Sequence, residues 1–97
     1  MKLRFSPQAI ENLAEIADYL HERNPAAARR VRAAIYEGLR NLILFPYVGR
    51  PQTLAGVRKL VTRKYAYLVY YTVAETTEEI VILSVKHPAR ERDFEGS

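Results

Sequence analysis

The spacing of apolar residues changes twice along this chain. Residues 2–5 alternate Lys2, Leu3, Arg4, Phe5, which predicts a short strand with Leu3 and Phe5 on one face. Ser6 then Pro7 is a helix start: a side-chain cap, followed by a residue that needs no amide donor. Ala9, Ile10, Leu13, Ile16, Ala17 and Leu20 recur at three- and four-residue spacing, as in an amphipathic helix of about four turns. Glu11, Glu15, Asp18 and Glu22 take its other side. Asn24-Pro25 repeats the start signal, and Ala28, Val31, Ile35, Leu39 and Leu42 mark the buried stripe of a second helix. Ending near Leu44, that helix is roughly 30 Å long. The break between the two is short, so they should form an antiparallel hairpin.

Pro46, Gly49 and Pro51 close the helical half with a loop. Past Gly56 the chain turns β-branched and aromatic. Strands are expected at Val57–Thr62, Tyr65–Val73 and Glu79–Val85. Arg63-Lys64 and a polar turn near Glu75–Glu78 connect them, so they should form an antiparallel meander. The expected architecture is α+β in the order β-α-α-β-β-β. The helical hairpin packs on one face of a small, mainly antiparallel sheet.

With 97 residues, the chain has room for one domain, 1–97, with a charged tail from about Glu91 expected to be mobile. It contains no cysteine, which excludes a disulfide framework and fits a reducing cytoplasm. No apolar run approaches ~18 residues, and the first residues hold no apolar signal core. A cytoplasmic location without membrane contact is expected. Two histidines far apart give no metal constellation, and neither a phosphate loop nor a nucleophile elbow is present. No cofactor is expected.

Charge sharpens the picture. The net charge is +4, yet all 11 acidic residues lie outside 38–74. That window holds Arg40, Arg50, Arg58, Lys59, Arg63 and Lys64, a field suited to phosphate or an acidic protein surface. Alternation puts Tyr65, Tyr67 and Tyr71 on one strand face, where aromatics among cations can stack bases. The same tyrosines also suit the rim of a core. Arg58 follows Gly56-Val57 at a strand start; its fork can clamp phosphate or carboxylate, or pair with a helix acid. His87 is the one residue of the second half whose ordinary pKa suits acid–base work; it can equally bond backbone at a strand end. Arg90 and Arg92 follow in a polar tail.

These pieces resemble, in order and length, the RelE/ParE superfamily of toxins from bacterial type II toxin–antitoxin systems. The resemblance rests on Phe5-Ser6-Pro7, Asn24-Pro25, Pro46-x-x-Gly49-Arg50, Gly56-x-Arg58-x-Leu60, Tyr67-Leu68-Val69-Tyr70-Tyr71 and Ile82-Leu83-x-Val85-x-His87-x-x-Arg90. It implies the β-α-α-β-β-β fold and a cognate antitoxin that wraps the toxin in a hetero-oligomer. It also implies one of two targets: DNA gyrase, poisoned by ParE-like members without nuclease activity, or ribosome-bound mRNA, cut by RelE-like members. RelE-like strands tend to carry a basic residue where Leu68 stands and another where Leu60 stands. A functional C-terminal tyrosine has no counterpart after Tyr71. The ParE-like branch, a gyrase inhibitor causing growth arrest, is therefore favoured. Arg50, Arg58, Lys59, Arg63, Lys64, Tyr65, Tyr67, Arg90 and Arg92 are the expected target or antitoxin contacts. The alternatives are a ribonuclease using His87, Arg90 and Arg58, and a remnant that binds antitoxin without toxicity.

Overall fold

A computed structural model describes residues 1–90. The elements are β1 (Lys2–Phe5), α1 (Pro7–Arg23), α2 (Pro25–Leu44), β2 (Arg50–Pro51), β3 (Arg58–Val61), β4 (Leu68–Ala74) and β5 (Glu79–Lys86), then a short 3-10 turn at Pro88–Arg90. The sheet order is β1-β5-β4-β3-β2, with β1 parallel to β5 and every other pair antiparallel. The expected α+β fold is present. The mobile tail expected from about Glu91 lies outside the described residues.

Both helices start where local chemistry placed them. Ser6 Oγ accepts the Ala9 N–H at 3.0 Å and donates to the Leu83 carbonyl at 2.9 Å, so the cap also ties α1 to β5. Asn24 closes α1 through its N–H to the Leu20 carbonyl and opens α2 by accepting the Ala27 N–H. One residue thus makes the whole hairpin turn. Ala9, Val31, Ile35, Leu39 and Leu42 bury against Tyr67, Val69, Tyr71, Ile80, Ile82 and Val85, which form the helix-facing side of the sheet. Val57, Leu68, Tyr70 and Leu83 form a smaller cluster on its other side.

The structure corrects several local expectations. Ile10 and Ala17 are exposed, while Asn12 is buried and its Oδ1 accepts the Val85 N–H at 3.1 Å. The middle strand begins at Leu68, not Tyr65. Thr62 Oγ1 accepts the Tyr67 N–H and donates to the Lys64 carbonyl, folding residues 63–66 into a turn. Tyr65 and Ala66 there have φ of 65° and 52°. Tyr65 therefore leaves the face that Tyr67 and Tyr71 share. Pairing of β4 with β5 skips Leu83, since Tyr71 faces Ile82 and Tyr70 faces Ser84. This bulge lets Ile80, Ile82 and Val85 all point at the helices. The short edge strand β2 had no sequence signal.

Candidate functional site

The loop after α2 is held from two sides. The Tyr71 hydroxyl donates to the Pro46 carbonyl at 2.8 Å and accepts the Gly49 N–H at 2.8 Å. Arg58 Nη1 donates to the carbonyls of Gly49 at 2.8 Å and Tyr47 at 3.1 Å, and its guanidinium lies 5.2 Å over the Tyr47 ring. Tyr47 in turn donates to Glu75 at 2.5 Å, and that bond holds its phenol above the usual range. In this geometry Arg58 Nη1 fixes loop backbone. Burial pushes the Tyr71 phenol up, against the Gly49 amide and the Arg58 charge.

The basic window is less uniform than its sequence. Alternation puts Arg58 and Leu60 on the helix side of β3, and Lys59, in register with Tyr70, on the other. Arg50 and Lys64 are exposed, on β2 and on the turn before β4. Arg63 reaches Glu37 of α2 through two contacts of 3.3 Å each, and it holds that carboxyl below the ordinary range. The window is thus not a field of bare cations. Acids just outside 38–74, Glu37 and Glu75, fold back onto it.

His87 sits at the far end of β5. Its ring meets the Tyr67 ring edge-on at 5.5 Å and accepts the Ala89 N–H on Nδ1 at 3.1 Å. Accepting on Nδ1 leaves Nε2 to carry the proton of the neutral ring. The pair borders a cleft of about 680 Å³ that Glu11, Asn12, Glu15 and Tyr19 also line. Burial, then the Tyr19 charge, raises the Tyr67 phenol. Arg58 and His87 do not meet. Arg58 lies on the Tyr71 rung and His87 beyond the Leu68–Lys86 rung, two strands away. Strand geometry makes that roughly 16 Å. Arg90 belongs to the 3-10 turn, and Arg92 lies outside the described residues.

Leu60 packs on the main core and Leu68 is buried in the smaller cluster, so neither position presents a group to solvent chemistry. Among the described residues no set of three or more His, Cys, Asp or Glu gathers to hold a metal, and no helix is long and apolar enough to cross a membrane. One feature escaped the sequence reading: an apolar groove of about 750 Å³ between the two helices. Leu13, Ala17, Ala28 and Ile35 line it, with Asp18 on one rim and Arg32 on the other. Its signal was present in the exposed apolar position Ala17, which was assigned to the core instead.

Comparison with known proteins fits this geometry. The family profile described as ParE toxin of type II toxin-antitoxin system, parDE, matches residues 3–92. The toxin candidate Y4kP of Sinorhizobium fredii is 33% identical over 86 residues, 89% of this chain and 86% of Y4kP. Among solved structures, a chain of the chromosomal ParDE toxin–antitoxin system from P. aeruginosa superposes with a TM-score of 0.75 and 26% identity, covering 90% of this chain and 95% of that one. The toxin–antitoxin complex RelBE2 from Mycobacterium tuberculosis gives 0.59 and 26%, covering 89% and 95%. Isolated E. coli RelE gives 0.63 at 13% identity, over 98% and 92%, a likeness of fold alone.

Proposed function

This chain belongs to the ParE toxin family of type II toxin–antitoxin systems, and we propose that it acts by inhibiting DNA gyrase and is neutralised by a cognate antitoxin. On this reading the whole chain, 1–97, is one toxin domain, and it blocks its target by binding rather than by catalysis. The observation that carries the reading is the separation of two of the ribonuclease candidates, Arg58 and His87. Cutting RNA through the 2′-OH needs a base, an acid and a cation gathered at one phosphate. Here Arg58 holds loop carbonyls, His87 lies two strands away, and Leu60 and Leu68 pack where relatives that cut RNA tend to carry charge. Purified toxin should block supercoiling by gyrase or trap its cleaved DNA complex. Untouched supercoiling beside cleavage of translated mRNA would overturn the proposal.

A ribosome-dependent endoribonuclease is the second reading, supported by one observation. His87 is exposed beside the Tyr67 ring, with a fixed tautomer, at the mouth of a polar cleft. On that reading His87→Ala abolishes growth arrest while the protein stays folded. Unchanged toxicity in the folded variant removes it.

A further inference from the structure

The chain leaves an apolar run on its surface. Residues 43–48 read Ile-Leu-Phe-Pro-Tyr-Val. Leu44 is 69% exposed, Phe45 62%, Val48 57% and Tyr47 49%. Several consecutive exposed apolar residues are a liability that a soluble surface avoids unless they are used. Ordinary mobility does not account for them. The backbone beneath is tied by the Tyr71 hydroxyl at Pro46 and Gly49, by Arg58 at Tyr47 and Gly49, and by the Val48 N–H to the Phe45 carbonyl. The run is therefore a fixed projection, with its ordering cost already met before any partner arrives.

We propose that this projection, centred on Leu44, Phe45 and Val48, is the surface by which the toxin engages its target, a folded protein offering an apolar pocket with an acidic rim. The inference rests on the reading of the chain as a toxin that acts by binding. The pocket is assigned from shape, because a rigid convex surface fits a preformed hollow. A flexible partner segment would find the interhelical groove instead. The rim is assigned from charge: Arg40 and Arg50, both exposed, flank the run, and Glu75, an acid that touches the loop, is engaged by Tyr47. Nucleic acid fits less well. Phe45 offers one exposed ring, but Leu44 and Val48 have none and Arg58 lies over the Tyr47 ring, which falls short of a stacking platform.

The test compares wild type with Phe45→Ser/Val48→Ser in supercoiling by gyrase holoenzyme and in colony counts after induction, with thermal unfolding to confirm the fold. The expected result is at least a tenfold rise in the toxin needed for inhibition, restored colonies and an unchanged unfolding midpoint. A folded variant of full potency overturns the proposal. Should wild type arrest growth yet leave supercoiling untouched, the gyrase reading fails and colony counts decide: recovery by the variant supports the projection, continued arrest overturns it. A wild type that does not arrest growth overturns both. Loss of potency in Arg40→Ala/Arg50→Ala but not in Phe45→Ser/Val48→Ser would assign the surface to phosphate and also overturn it.

Discussion

Gly49 and Tyr71 form a contact that admits no side chain between them. A Cβ at position 49 would lie 2.5 Å from the Tyr71 hydroxyl and 2.7 Å from its ring. The requirement is close approach, because the same hydroxyl accepts the Gly49 N–H. Gly49→Ala should therefore destabilise by about 2–3 kcal/mol through overpacking and a stretched hydrogen bond. Tyr71→Phe should cost about 1–3 kcal/mol, leaving the Gly49 amide and the Pro46 carbonyl without that partner. Both act on one contact, so the double variant should cost less than their sum in urea unfolding; additive costs would place the constraint on Gly49 elsewhere. The tyrosines also set an alkaline limit. Burial raises the phenols of Tyr67 and Tyr71 above the ordinary value of 10.0. The unfolded chain then ionises first, so their contribution is complete below about pH 10 and is lost as pH rises through the folded values. Unfolding free energies measured from about pH 9 to about pH 11 should fall, and Tyr71→Phe should flatten part of the fall.

Between elements, α1 is fastened to β5 by two polar side chains, Ser6 at the Leu83 carbonyl and Asn12 at the Val85 N–H. The first point is the residue that the ladder with β4 skips, and the second lies two residues beyond it. Asn12→Ala should cost about 2–3 kcal/mol by stranding a buried amide, with Asn12→Asp keeping the acceptor and more of the stability. Equal losses for the two would mean that Asn12 acts by packing. Ser6→Ala should exceed Asn24→Ala, whose loss is about 1 kcal/mol, because only Ser6 also spans two elements. The helix starts were legible because a cap and its proline are neighbours in sequence. The start of β4 was not, since the Thr62 hydroxyl competes for the backbone that would have extended the strand. The bulge and β2 depend on what the partner strand offers, which one strand's own pattern does not carry. The candidate site follows the same rule. Motif pieces such as Pro46-x-x-Gly49 and Arg58 stood out, but their joining through Tyr71 is a tertiary contact.

Across the whole molecule, charge is divided more finely than a net value of +4 conveys. The acidic row belongs to α1, while β2, β3 and the turn before β4 carry Arg50, Arg58, Lys59, Arg63 and Lys64, and α2 adds Arg29, Arg30, Arg32 and Arg40. Long-range attraction of an acidic antitoxin segment would act on that basic edge and weaken with salt, the screening length being about 10 Å at 0.1 M. The choice of residue matters for testing this. Reversing Arg58 would break the loop it holds, so a loss would report folding rather than field. Arg63 is the cleaner probe: its pair with Glu37 is exposed, at 72% and 46%, and such pairs contribute little to stability. Arg63→Glu should slow association with the cognate antitoxin at low salt, and Glu37→Gln should quicken it by unmasking Arg63. Both differences should shrink as salt rises, with the unfolding midpoints nearly unmoved. Equal association rates for all three proteins at low salt would place the antitoxin's approach away from the basic edge.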